Sequence, residues 1–296
     1  VGSEMCIRDR SNLRPDSVIA CLDCPNHLQA VLDASLWAAK NLQTPVGLLH
    51  AAPTIQHKEA MDYSGCLVAD DGSHLLNQLT LEEKDSNGKL RDQGRLLLKQ
   101  AHNYCEQNQG RYKHQIYYLH RHASIAESLD YVDESAQLVV IGHQVTCKDT
   151  LSHLIRASRC PALVTHDTFK APKTALFGFD NRPTCHALLD WLCSTSLVRN
   201  LNLHVVMVGE QTERNKEALR EAYARLTQSG ISCKKALIEG RDVTAALMFY
   251  QQHHYLEMLI TGAFGESRLH ELLHGSNTRK LLKASRTPYL PVSYTH

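Results

Sequence analysis

A chain of 296 residues with 32 Lys and Arg against 31 Asp and Glu carries a formal charge of +1. That balance excludes the basic face a generic nucleic-acid binder needs, and it excludes a polyacidic tail protein as well. Hydrophobic content of 43% suffices for roughly two ordinary domains, and no stretch approaches the ~18 apolar residues of a membrane span.

The first ten residues, VGSEMCIRDR, lead into no helix or strand pattern. They resemble a translated transposase-type sequencing adapter, and residues 292–296 (VSYTH) match the reverse complement of its shared end. Residues 1–10 and 292–296 are therefore set aside as adapter-like artefact. The expectation is that 11–291 is the biological sequence, cut from a longer gene.

Between those ends the chain repeats itself. Residues 17–23 (SVIACLD) and 174–180 (TALFGFD) are apolar runs closing on Asp23 and Asp180, a spacing of 157. Each precedes a Pro-containing turn and a helix bearing Leu-Asp, at Leu32-Asp33 and Leu189-Asp190. Strands are predicted next at 46–51 and 203–208, and a helix at 212–229 has Ala218, Leu219, Ala222 and Leu226 on one face. Further strands are expected at 114–119 and 232–238, helices from Ser124 and Asp242, and buried-type strands at 138–141 and 256–261. Both units end on related octets, LIRASRCP (154–161) and LLKASRTP (281–288), before apolar strands at 162–164 and 289–290.

Strands alternating with helices imply a mostly parallel sheet with helices on both faces. The expected architecture is α/β: two tandem Rossmann-like domains, each with a five-stranded sheet, at 11–167 and 173–291. The polar segment THDTFKAPK (165–173) is the boundary. Asp23 to Gly142 spans 119 residues where Asp180 to Gly262 spans 82, so the first half carries an insertion. It is placed near 53–88 and expected to be a surface loop, since most of that stretch lacks clear periodicity. Ten cysteines are scattered without zinc-ribbon pairs, which fits reduced thiols in a cytoplasmic protein. Cys21 and Cys24 form a C-x-x-C, but Cys21 falls inside the first predicted strand, where burial explains it.

Chemistry concentrates in the second half. Gly262-Ala-Phe-Gly265 follows a strand, and nine residues later Gly275-Ser276-Asn277-Thr278 opens a helix. Glycines lack Cβ and tolerate positive φ, so their N–H groups can converge on an anion; a helix start adds free N–H groups and a favourable dipole. In doubly wound sheets, ligands also bind beyond the carboxyl ends of strands.

The spacing G-x2-G-x9-G-S at 262–276 resembles the ATP-binding class of the universal stress protein family. The strand-end Asp and the closing apolar-Pro-apolar strand are similar too, and the likeness covers almost all of 14–291 as two copies. The resemblance implies an adenine-nucleotide-hydrolase-like fold with ATP, accompanied by Mg²⁺, in the second domain. Gly262, Gly265, Gly275 and Ser276 would hold phosphates and ribose, and Asp180 would sit beside the nucleoside. Val206 or Val208 would lie near adenine, Thr261 at the strand end, and Asn277 and Thr278 at further phosphate contacts. Asp180 also has a simpler reading, a turn-forming residue before Pro183. The resemblance further implies that the two domains pair as a pseudo-dimer through their last strands, with homodimerisation a further expectation.

The first half departs from this pattern. Gly142 to Pro161 is 19 residues against 26 from Gly262 to Pro288, and Lys148-Asp149 replace Gly275-Ser276. A carboxylate there repels phosphate, so this half is not expected to bind ATP in the same manner.

His270-Glu271-Leu272-Leu273-His274 is literally the zinc-protease motif H-E-x-x-H. Gly275 cuts short the helix it requires, residues 275–291 contain no His or Glu to supply a third ligand, and the motif lies wholly within the nine-residue spacer. The remaining histidines, including His253 and His254, are read as surface or satisfied residues, with no metal site expected. No catalytic triad or nucleophile elbow is present. Phosphoryl transfer needs a positioned base and a metal-liganding carboxylate, and neither stands out around 262–278. The expected function is a nucleotide-responsive stress regulator, with slow ATP hydrolysis at most. The alternatives are a partner-binding module without ATP, and a zinc hydrolase using the 270–274 motif.

Overall fold

The computed structural model describes residues 16–22, 27–51, 71–110, 113–121, 123–132, 136–143, 151, 154–155, 158, 160–262 and 288–292. The first half runs β1 (Ser17–Cys21), α1 (Leu28–Leu42), β2 (Val46–Ala51), α2 (Asp71–Asn108), β3 (Ile116–Arg121), α3 (Ile125–Val132), β4 (Ala136–Gly142) and β5 (Ala162–Thr165). The second runs β6 (Thr174–Gly178), α4 (Pro183–Ser194), β7 (Asn202–Val208), α5 (Glu213–Gln228), β8 (Cys233–Ile238), α6 (Val243–His253), β9 (Met258–Gly262) and β10 (Tyr289–Val292).

All described strands join one ten-stranded sheet in the order β3-β2-β1-β4-β5-β10-β9-β6-β7-β8. Within each half every pairing is parallel, and β5 meets β10 antiparallel through Val164 and Tyr289. The expected α/β class with five parallel strands per half is what the chain adopts. β10 takes in Val292, the first residue of the terminal segment set aside in the sequence, opposite Gly262.

Strand periodicity explains the two-faced core. Val18, Ala20, Ala175, Phe177, Leu203 and Val205 bury on one face, beneath α1, α2, α4 and α5. Their neighbours Ile19, Cys21, Leu176 and Val206 bury on the other, beneath α3 and α6. Alternate side chains of a strand point to opposite faces, and both faces of a parallel sheet are covered, so the strands read as continuous apolar runs.

Helix starts follow local chemistry. Thr212 Oγ1 accepts from the Asn215 N–H at 3.2 Å, and an Asp242 carboxylate oxygen accepts from the Ala245 N–H at 3.0 Å. Ser124 and Glu127 form a reciprocal capping box: the Ser124 N–H donates to Glu127 and the Glu127 N–H to Ser124 Oγ. Pro183 at the first turn of α4 needs no hydrogen-bond partner for the N–H it lacks. The repeated Leu-Asp pair also acquires a role. Tyr104 on α2 donates to Asp33 at 2.8 Å, and Arg225 on α5 pairs with Asp190, so each Asp ties its helix to the next.

The insertion differs from expectation. Residues 71–88 are not loop but the opening turns of the 38-residue α2. Leu98, Ala101 and Cys105 anchor the later turns in the core. Once a helix is nucleated, propagation costs little, and 71–88 contains a single β-branched residue, Thr80. Residues 53–70 lie outside the described residues.

Candidate functional site at the carboxyl ends of the second-half strands

Five of the ten sequence-predicted site residues are described, and the sheet brings them together. In register, Gly178 at the end of β6 lies opposite Thr261 on β9 and opposite Val206 on β7. Asp180 follows two residues beyond Gly178, Gly262 ends β9, and Val208 ends β7. Gly265, Gly275, Ser276, Asn277 and Thr278 lie outside the described residues, as do His270, Glu271 and His274.

Asp180 bends the chain into α4. One carboxylate oxygen, Oδ1, accepts from the Arg182 N–H at 3.2 Å, as a turn-forming Asp does. The other, Oδ2, is buried without a hydrogen bond, although the Arg182 Nε stands 3.5 Å away. The Arg182 ion pair leaves this oxygen with acceptor capacity to spare, so it is a position at which a donor would be welcome. Asn181 supplies the left-handed step (φ 59°), and its Oδ1 meets His186 Nε2 at 2.8 Å.

Cys185 lies beneath this turn, with its thiol 3.8 Å from the Gly178 carbonyl. Burial, then the neighbouring Asp180 carboxylate, push its thiol up to about 12. A Cβ placed on Gly178 would come within 3.1 Å of a Leu247 methyl, so a larger residue there would push that side chain of α6 back by a few tenths of an ångström. Gly262 is different. An added Cβ would sit 3.4 Å from Cys185 Sγ, an ordinary contact, so packing among the described residues does not demand glycine at this strand end.

The remaining predicted residues divide by burial. Val206 is wholly inside the core, so its side chain offers a ligand nothing, whereas Val208 is partly exposed. Thr261 is fully buried and its hydroxyl donates to Tyr289 at 3.0 Å, joining β9 to β10. Burial pushes the Tyr289 phenol up to about 12, so it stays neutral beside Thr261.

Sequence reasoning missed a hollow of about 300 Å³ at the outer strand, lined by Ile238, Glu239, Ala246, Phe249, Tyr250 and His253. Ile238 pairs with Val208, which connects the hollow to the strand ends. His204 Nδ1 lies 3.1 Å from the Tyr250 hydroxyl, and the His254 ring is tilted against Tyr250 with centroids 4.1 Å apart. His253 and His254 are thus held in an aromatic cluster. The i, i+3, i+4 spacing of Ala246, Phe249 and Tyr250 was the available signal, but an apolar helix face does not say what it faces.

No protein-family model matches the chain. It is 26% identical over 288 residues to a universal stress protein of Synechocystis, covering 93% of this chain and 98% of that one. A universal stress protein from Archaeoglobus fulgidus has the same fold at TM-score 0.62 and 11% identity, over 95% of this chain and 97% of that one. A Pseudomonas aeruginosa protein superposes at TM-score 0.52 and 17% identity, over 95% of this chain and 94% of that one. With a sequence likeness along nearly its whole length, and with a shared α/β fold, the chain is similar to universal stress proteins.

Proposed function

We propose that the chain binds an adenine nucleotide, ATP with its Mg²⁺, at the carboxyl ends of β6, β7 and β9. The reading makes it a nucleotide-responsive regulator in the cytoplasm, not an enzyme selected for turnover. The observation that carries it is the buried, unbonded Oδ2 of Asp180 beside a glycine strand end that packing does not require. A ribose hydroxyl would supply the missing donor, and the partly exposed Val208 offers an apolar edge for a purine. The G-x2-G-x9-G-S spacing from Gly262 to Ser276 supports phosphate binding by backbone N–H groups, with Asn277 and Thr278 beyond it. Val206 and Thr261 act in this reading through the backbone they hold in place. The two halves act as an intramolecular pseudo-dimer, and a second copy adds to the assembly through another surface.

The test is nucleotide retained by the full-length chain. Purified protein is denatured and the released ligand identified by anion-exchange chromatography. Wild type is expected to yield near-stoichiometric adenine nucleotide. Gly275→Val is expected to abolish it, and Asp180→Ala to weaken binding about 10-fold or more, since a hydrogen bond to a charged group contributes roughly 1.5–3 kcal/mol. Wild-type retention in both variants would refute the reading.

A further inference from the structure

The first half has its own cluster at the corresponding strand ends, made from residues the sequence reading set aside. His27 immediately precedes α1, His143 immediately follows β4, and Asp167 lies two residues beyond β5. One ligand atom from each lies within 4.8 Å of the others. His27 Nδ1 and Asp167 Oδ1 are 3.2 Å apart, and the rings of His27 and His143 meet edge-on at 4.9 Å. The His143 N–H donates to the Thr165 carbonyl at 2.8 Å, which fixes the β4 exit against the β5 exit.

We propose that His27, His143 and Asp167 form a binding site for a divalent transition metal of the zinc class. Two imidazoles and a carboxylate are the donor set that zinc takes in sites keeping a fourth position for water. Ligand atoms around tetrahedral zinc stand about 3.3 Å apart, so the His27–Asp167 edge already has the right length. The His143 edges draw in on binding.

A second observation points the same way. His27 is only 3% exposed, yet among the described residues neither ring nitrogen makes a hydrogen bond. Nδ1 has the Asp167 carboxylate beside it and Nε2 has no partner among the described residues, so a metal would satisfy a buried ring that the protein alone does not. The position is also built. A Cβ on Gly142 would come within 3.1 Å of His27 Cβ, so glycine at the end of β4 lets the histidine seat against the strand. Buried His166, whose ring centroid is 4.7 Å from that of His143, closes one side. The half-positive start of α1 works against a cation, and the Asp167 carboxylate offsets it. The site does not depend on the nucleotide reading: this half lacks the length of phosphate loop found in the other, and its strand ends carry imidazole instead.

The experiment uses the full chain stripped with chelator and titrated with Co²⁺, then Zn²⁺. One equivalent of Co²⁺ should give the intense visible bands of a low-coordinate site, displaced by Zn²⁺ and absent in His27→Ala. Asp167 is 64% exposed, so Asp167→Asn leaves folding intact and is the deciding variant. It should weaken binding by at least roughly 10–100-fold, the loss seen when even an outer partner of a ligand is removed. Unchanged affinity in Asp167→Asn overturns the proposal. So does loss of the bands in His270→Ala/His274→Ala while Asp167→Asn retains them, since the metal then belongs to the other motif.

Discussion

Cys185 reports on the strand-end turn without touching solvent. With its thiol pushed up to about 12, about one molecule in ten thousand carries a thiolate at pH 8, against about a quarter for an ordinary cysteine. Cys105, buried on the inner face of α2 and likewise pushed up to about 12, behaves the same way. Both should resist iodoacetamide in the native protein and label on unfolding, as mass spectrometry of digested peptides would read. The linkage has a definite sign. Above pH 9 the unfolded thiols release protons that the native thiols keep, so stability falls as pH rises from about 9 toward 12. His204 acts at the other end. Burial, then Lys234 and His254, hold its imidazole below the usual value. The unfolded chain therefore binds its proton first, and stability falls as pH drops below about 6.5. The loss between pH 7 and 5.5, measured by urea denaturation, should be smaller in His204→Gln than in wild type.

Among the elements, α5 separates local from tertiary causes. Its Thr212 cap satisfies one free N–H, while Leu219, Ala222 and Leu226 bury its inner face. Thr212→Ala should cost about 1 kcal/mol and Leu226→Ala about 2–5 kcal/mol, compared by denaturant midpoint at constant slope. The second feature was legible in the sequence as 3.6-residue spacing. The strand cores were legible for a similar reason, since sheet faces covered on both sides leave unbroken apolar runs. The opening turns of α2 were not. Their sequence has no sustained periodicity, and the helix there extends turns whose anchors lie further on, at Leu98 and Ala101. The His27–His143–Asp167 cluster was illegible for another reason. Its members are far apart in sequence, and only the adjacency of β1, β4 and β5 brings them together. At the other strand ends the spacing singled out Asp180 and Gly262, whose strand-end positions the structure shows, whereas Val206 and Thr261 are buried in the core.

At the scale of the molecule, the halves share more than a boundary. One face of the sheet carries a single apolar cluster running from Val18 and Leu48 through Leu163 and Leu290 to Leu203 and Leu226. Ser196 Oγ donates to the Asn41 carbonyl at 2.7 Å, and Trp37 meets Phe169 at 5.7 Å, so polar and aromatic contacts flank the seam. The chain should therefore unfold in one calorimetric transition. Leu290→Ala, at the fully buried seam, should lower that transition as a whole without splitting it, at a cost of about 2–5 kcal/mol. Two resolved transitions in wild type would show that the cluster does not couple the halves.

The antiparallel meeting of β5 and β10 separates the two sets of strand ends. Strand direction reverses there, so the exits of β1 and β4 open on one rim of the sheet and those of β6 and β9 on the opposite rim. A single small ligand cannot bridge the two crevices, and neither can shield the other from solvent. On the two proposals above, the sites are back-to-back ports, and any coupling between them has to cross the sheet through the Val164–Tyr289 pair and the side chains packed around it.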